Sequence, residues 1–345
     1  MLRFNNDYNE GAHESILKKL AEINMNQIGG YGEDEYCDEA RDIIKKLCDA
    51  PSADVHFLVG GTQTNLTVIS SALRPYQCAV CATTGHINVH ETGAIEATGH
   101  KVFAVPSDNG KLTAKMIEEV YNKHWSDDAH EHIAQPKLVY ISESTEIGTI
   151  YTKKELEEIY AVCKKCGMYL FIDGARLAYA LASKKNDLDF KTIAANCDVF
   201  YIGGTKCGAL FGEAVVITND TLKQDFRYMI KQKGGMLAKG WLLGVQFSEL
   251  LRDGLYLKLA ERADRLAIKI RNAALENGYK LYYDSYTNQQ FFVMSNKTYT
   301  ELSKKYVFST EAKPDNDHIA VRICTDWATK EENVDQLIKD MAIYK

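Results

Sequence analysis

The stretch that decides the fold runs from Pro136 to Asp173, PKLVYISESTEIGTIYTKKELEEIYAVCKKCGMYLFID. Its opening, PKLVYISES (136–144), reads as a buried strand. Thr152 and Glu155, three apart, make a capping box that opens a helix. Leu156, Ile159, Tyr160 and Cys163 keep the helical spacing, and Gly167 ends it. MYLFID (168–173) is the next buried strand. Strands that are apolar throughout and joined by a helix belong to a parallel sheet covered on both faces.

The same alternation continues in both directions. VHFLVGG (55–61), QCAVCAT (77–83) and KVFAVPS (101–107) upstream, and DVFYIGG (198–204) and EAVVITN (213–219) downstream, read as strands. With the two above they predict a mainly parallel seven-stranded sheet. ARLAYALAS (175–183) reads as a helix. From Trp241 the pattern changes to a long helical stretch broken near Gly254. KLYYDSYTNQQFFVMSN (280–296), a short helix around Tyr299, the strand HIAVRICT (318–325) and a last helix opened by Thr329 and Glu332 follow. The expectation is an α/β large domain over residues 1–240 and a smaller α+β domain over 241–345.

The bulk properties narrow the function. At 345 residues the chain can bury a large core. A net charge of -6 leaves no basic footprint for nucleic acid and no polybasic, membrane-facing segment. No apolar run is long enough to span a bilayer, and MLRFNNDYNEG has no apolar signal core, so the expectation is a cytoplasmic protein. The pairs Cys78/Cys81 and Cys163/Cys166 lie in a strand and a helix, which suits reduced thiols better than a zinc site.

In open α/β sheets, ligands bind at the carboxyl ends of the strands. Four such ends carry suggestive residues. In VGGTQTN (59–65), Gly60 and Gly61 let the backbone approach an anion, and a helix from Thr62 would offer free N–H groups. In TTGHINVHETGA (83–94), His86 and His90 share a helical face, a spacing that suits a packed pair better than a metal site. In FIDGARLAYA (171–180), Asp173 ends a buried strand and must have a partner, for which Arg176 is the nearest candidate. In YIGGTKCGALFGE (201–213), Lys206 follows an apolar strand and a glycine pair, either as an incidental turn charge or as a lysine held for covalent work.

Together these ends suit one cofactor. Pyridoxal 5'-phosphate needs N–H donors for its phosphate, an acid partner for its ring nitrogen and an amine for its aldehyde. A free lysine has a pKa of roughly 10.4, so burial must make the amine available.

The order and setting of GGT (60–62), His86, DGAR (173–176) and TK (205–206) resemble the threonine aldolase / β-eliminating lyase family of fold-type-I, aspartate aminotransferase-like enzymes. RFNNDY near the start, YGED (31–34), KGGM (233–236) and VRICTDW (321–327) have family counterparts in the same order, so the resemblance covers nearly the whole chain. It implies that Lys206 holds the cofactor as a Schiff base, that Asp173 pairs with the ring nitrogen and that His86 stacks on the ring. Gly60, Gly61, Thr62 and Thr205 then hold the phosphate. Arg176 and Arg322 bind the substrate carboxylate with help from Asn6, which stands where the family has serine, and Tyr31 lies at the active-site edge. It implies aldol cleavage of a small β-hydroxy-α-amino acid, no metal, and a homo-oligomer, dimer or tetramer, with active sites at subunit interfaces.

Three departures bear on the chemistry. Glu146 replaces a family histidine that contacts the substrate hydroxyl, and His90 stands where the family often has tyrosine. One of this pair is expected to handle the hydroxyl proton. Leu237 replaces an arginine after GGM, and Lys239 is the candidate replacement charge for the phosphate, within the chain or from a neighbouring subunit. The Glu146 change leaves β-elimination or transamination open as alternatives on the same fold. A retired enzyme fold used for sensing is the reading from a different class, opposed by the complete set of cofactor-binding residues.

Overall fold

The computed structural model describes residues 1–345. The chain opens with β1 (Leu2–Arg3), and seven strands then build the large sheet. These are β2 (Asp54–Leu58), β3 (Gln77–Ala82), β4 (Lys101–Val105), β5 (Gln135–Ser142), β6 (Tyr169–Asp173), β7 (Val199–Gly203) and β8 (Glu213–Ile217). Their order across the sheet is β2-β8-β7-β6-β5-β3-β4. Neighbours pair in parallel from β4 to β7, whereas β8 runs antiparallel to both β7 and β2. The carboxyl ends of β3, β5, β6, β7 and β2 therefore face one edge, and the reversed β8 brings its amino end to the same edge.

Alternation along the strands splits the sheet's side chains between two cores. Val139, Ile141, Leu170, Ile172, Phe200 and Ile202 enter the larger cluster, and Leu138, Tyr140, Phe171, Val199 and Tyr201 enter the smaller one. Burial on both faces explains why these strands carry no polar alternation. The helix Lys153–Lys165 has the reciprocal capping box read from Thr152 and Glu155. Gly174 lies where the turn after β6 meets β7: a Cβ there would come within 1.7 Å of the Tyr201 carbonyl oxygen, so only glycine fits.

The later part contains a four-stranded antiparallel sheet. Its strands are β9 (Lys280–Tyr283), β10 (Gln289–Ser295), β12 (Ser309–Ala312) and β13 (His318–Cys324), with the two-residue β11 (Tyr306–Val307) beside them. β11 pairs in parallel with β1, and Phe4 packs into the third apolar cluster with Phe292, Tyr306 and Val321. The chain's first residues are thereby anchored to its last hundred. The helical stretch from Trp241 does break at residues 252–254, giving helices Trp241–Leu251 and Leu255–Glu276. One cap differs from expectation. The final helix, Glu331–Ile343, has Lys330 at its cap without a side-chain bond, because the Thr329 hydroxyl bonds Asp326 instead. All nine cysteines are free and buried, and no helix is long and apolar enough to cross a membrane.

Candidate active site

The shared strand edge opens into a cleft of ≈ 280 Å³, lined among others by Gly60, Gly61, Thr62, His86, Glu146, Asp173, Arg176, Thr205, Lys206 and Glu213. An adjoining cavity of ≈ 630 Å³ shares Tyr8, His86, Glu146, Arg176 and Lys206 and adds His90, Tyr283, Glu311 and Arg322. The four strand ends singled out in the sequence therefore meet.

Gly60 precedes the helix Gly61–Ala72 and no side chain caps that end. Its first N–H groups lack intrahelical acceptors and the helix dipole adds positive potential, so this end of the cleft suits an anion. A Cβ on Gly60 would meet nothing within 4 Å and would only occupy the cleft, and one on Gly61 would lie 3.1 Å from the Tyr201 hydroxyl. Thr205, also at this end, donates its hydroxyl to Glu213 Oε1 at 3.0 Å and accepts the Gly212 N–H at 2.9 Å.

Asp173 is buried, and its partner is not Arg176. Tyr140 donates to Asp173 Oδ2 at 2.5 Å, Asn65 Nδ2 donates to the same oxygen at 3.0 Å, and the Ala175 N–H donates to Oδ1 at 3.0 Å. Burial pushes this carboxyl up, but His86, the Tyr140 and Tyr201 hydroxyls and the Ala175 N–H together hold it below the ordinary carboxylate value. Asn65 Nδ2 also reaches Glu91 Oε1 at 2.7 Å, and that oxygen lies 2.8 Å from His86 Nδ1. The imidazole and the aspartate are thus held by one buried network.

Arg176 turns the other way. Its Nε and Nη2 bond the two oxygens of Asp7 at 2.7 and 3.1 Å, and Asn288 Nδ2 donates to Asp7 at 2.9 Å. An arginine one turn after Asp173 looked like its partner in the linear sequence; the N-terminal segment supplies a better-placed carboxylate. Lys206 lines the same cleft, half-buried. Desolvation and then the nearby Arg176 charge lower its basicity, against opposing pulls from Asp7, Asp173 and Glu213.

Glu146 accepts the Ser142 hydroxyl at 2.6 Å and the His86 N–H at 2.9 Å, both on Oε1, and burial raises its carboxyl above the ordinary value. The His90 ring lies 5.6 Å from that of His86. Partial desolvation, His86 and Arg322 push the His90 pKa down. Arg322 is held loosely, with Nη2 at 3.3 Å from the Asn5 carbonyl and from Ser309 Oγ, and Nε 3.5 Å from Glu311.

Three expected site residues lie elsewhere in this chain. Asn6 is spent on a local turn, its Oδ1 accepting the Tyr8 N–H at 3.1 Å, and it is Tyr8 that lines the cleft. Tyr31 has a left-handed backbone (φ 62) and lines a separate surface cleft with Met236 and Leu237, while Lys231 sits over its ring. Lys239 is exposed on the loop behind that cleft, whose Ala238 carbonyl receives the Tyr31 N–H. The sequence reading missed Asp7, Asn65, Glu91, Tyr140 and Glu213. Tyr140 and Glu213 did carry a signal, a polar group inside or at the head of an apolar strand; the other three carried none.

The β-eliminating lyase family model matches residues 7–297. A low specificity L-threonine aldolase of Pseudomonas sp. (strain NCIMB 10558) is 31% identical, over 98% of this chain and 96% of the relative. The solved structure of a Leishmania major threonine aldolase superposes with a TM-score of 0.97 at 45% identity, covering 99% of this chain and 98% of that one. A Thermus thermophilus aspartate aminotransferase shares the fold at 13% identity and a TM-score of 0.73, over 100% of this chain and 92% of its own. With the family model spanning most of its length and the cleft assembled as described, this chain belongs to the β-eliminating lyase family.

Proposed function

We propose that the chain is a carbon–carbon lyase that uses pyridoxal 5'-phosphate to cleave small β-hydroxy-α-amino acids, converting L-threonine or L-allo-threonine to glycine and acetaldehyde. One observation carries the reading. A half-buried lysine of lowered basicity, a buried carboxylate of lowered pKa and an uncapped helix N-terminus meet in one cleft. Those groups match the aldehyde, the ring nitrogen and the phosphate of the cofactor, so the residues present fit it.

When bound, the cofactor supplies an electrophilic aldehyde carbon and a ring that accepts the electron pair released at Cα. Lys206 Nζ offers the amine. Asp173 would pair with the ring nitrogen and favour its protonated form, and Tyr140 and Asn65 hold Asp173 in place. His86, oriented by Glu91, would stack its imidazole on the ring. Gly60, Gly61 and Thr62 would hold the phosphate, with Thr205 fixed beside it by its bonds to Glu213 and Gly212. Asp7 occupies Nε and Nη2 of Arg176 and so directs Nη1 to the substrate carboxylate, with Arg322 as the second cation. His90 stays neutral near pH 7 because its pKa is lowered, and its ring takes the β-hydroxyl proton. Both donors to Glu146 meet Oε1, which fixes the His86 backbone and leaves Oε2 for the cleft.

The reading keeps two domains, residues 1–240 and 241–345: the third apolar cluster, drawn mainly from residues 266–341, marks the smaller one, while Phe247, Leu250, Tyr256 and Ala263 join the large domain's core across the boundary. It also takes the protein as a cytoplasmic homo-oligomer, dimer or tetramer, in which Tyr31 and Lys239 serve a neighbouring subunit's cleft; both are exposed in the single chain.

Product analysis tests the main claim. The holoprotein is incubated with L-threonine and with L-allo-threonine, and acetaldehyde, glycine and 2-oxobutanoate are assayed together. Acetaldehyde matched by glycine, and lost in Lys206→Ala, is the expected result. Glu146 in place of the family histidine favours one second reading, a different reaction on the same cofactor. 2-Oxobutanoate would then appear, marking elimination, or turnover would require a keto-acid acceptor, marking transamination.

A further inference from the structure

Glu213 is a carboxyl group in the wrong place for an anion site. It opens β8, the one reversed strand of the large sheet, and sits opposite Leu58 of β2 and Gly203 of β7. That register carries its side chain to the strand edge where Gly60, Gly61 and Thr62 form the cleft end that suits an anion, and it lines the same cleft. It is only 3% exposed. Its Oε1 takes the Thr205 hydroxyl at 3.0 Å, and its buried Oε2 has no hydrogen-bond partner. The Thr205 hydrogen is thus committed to Glu213 while its oxygen accepts from Gly212. The ionisable groups facing Glu213 are Lys206 and Asp173 across the cleft, Tyr201 on β7 and Tyr256 on the helix Leu255–Glu276. Among these Lys206 is the only cation.

A carboxylate there is compensated by the Lys206 ammonium. Beside a phosphate dianion it is not, because two like charges in a poorly solvated cleft cannot both stay ionised. A protonated carboxyl is a different neighbour, with one O–H to donate and an orphaned oxygen on which to carry it.

We propose that Glu213 couples phosphate binding to proton uptake: as the phosphate group enters the cleft, the Glu213 carboxylate takes one proton from solvent at Oε2 and donates it to a phosphate oxygen. The step forms one O–H bond at the expense of a solvent acid and breaks no bond in the cofactor. It rests on the cofactor assignment above. The group is poised for this exchange. Burial, helped by Asp173, outweighs the Thr205 hydroxyl and the Lys206 charge and leaves its pKa at about 8. Loss of the Lys206 charge moves it in the same direction as the incoming phosphate does.

Calorimetric titration of the full-length chain, freed of cofactor, tests the coupling. Pyridoxal 5'-phosphate and pyridoxal are titrated in buffers of different ionisation enthalpy, at a pH just above the Glu213 value. The expected result is about one more proton taken up with the phosphate ester than with pyridoxal, and an affinity for the ester that falls by up to about tenfold per pH unit in that range. Glu213→Gln, a permanent donor, is expected to remove both the extra uptake and the slope. Equal uptake for the two ligands, or an unchanged excess in Glu213→Gln, would overturn the proposal and leave the cofactor assignment standing. If Glu213→Gln does not fold, the two-ligand comparison on the wild-type chain decides alone. Failure of the wild-type chain to bind the phosphate ester at all would overturn the cofactor assignment and the coupling with it.

Discussion

Asp7 and Arg176 form a two-point ion pair, Oδ2 to Nε at 2.7 Å and Oδ1 to Nη2 at 3.1 Å, between residues 169 apart in the chain. Asp7 is fully buried and the Arg176 side chain largely so, and Asn288 donates to the same carboxylate at 2.9 Å. The pair fastens the N-terminal segment, the turn after β6 and the later unit to one another at the cleft.

Removing one member of such a pair strands the other as a buried charge. Asp7→Ala is therefore expected to cost about 3–5 kcal/mol of stability. Arg176 holds the Asp7 carboxyl well below its ordinary value of 3.8, so this stabilisation is complete above that value and is lost as pH falls through the folded pKa. Asp7→Asn should flatten that acid limb. Thermal unfolding across an acid pH series measures both effects.

His90 and Glu146 have opposite expected roles. The His90 pKa is lowered from 6.5, so kcat/KM should rise as pH climbs through that lowered value and level off by neutrality. His90→Asn is expected to cost about 10²- to 10⁴-fold in kcat/KM and to erase the acid limb. Glu146→Gln keeps an oxygen that can accept from Ser142 and the His86 N–H, so it should retain most of the activity with the His90 limb intact. A pH–rate profile of both variants separates the roles; a collapse in Glu146→Gln would transfer the base function to Glu146.

Tyr140→Phe deletes the short bond to Asp173 Oδ2 and leaves that oxygen to Asn65. A buried carboxylate that loses a donor is expected to cost about 1–3 kcal/mol. The Asp173 pKa should move up from its lowered position, so the midpoint of acid unfolding should move to higher pH. Cofactor affinity should weaken in parallel, and a spectroscopic titration will show whether it does.

Gly174→Ala tests the geometry that delivers Lys206. The new Cβ would stand 1.7 Å from the Tyr201 carbonyl oxygen, a backbone atom that cannot rotate away. Overpacking against backbone is expected to cost about 3 kcal/mol or more, by separating β7 from the turn after β6. Denaturant unfolding gives the loss, and a weaker cofactor site in the folded fraction would show that the strand end carrying Lys206 has shifted.

The linear sequence already contained the frame of the site. Buried strands betray themselves by unbroken apolar runs, and Thr152 and Glu155 mark a helix start because their bonds span only three residues. Asp173 and Lys206 were legible for the same local reason: each is a charged residue directly after such a run, where burial makes charge costly unless it is used. Thr329 shows the limit of local reading, since its hydroxyl found Asp326 rather than the helix N-terminus.

Read alone, the sequence settled the alternation of strands and helices and the strand-end positions of Gly60, Gly61, His86, Asp173 and Lys206. These follow from periodicity and spacing, which are properties of neighbours along the chain. The tertiary structure alone decided that Arg176 answers Asp7 and not Asp173, that Tyr140, Asn65 and Glu91 tie Asp173 to His86, and that reversed β8 turns Glu213 into the anion end of the cleft. A buried polar group takes the best-placed partner in space, and strand order and direction set that partner's place, not its distance in sequence.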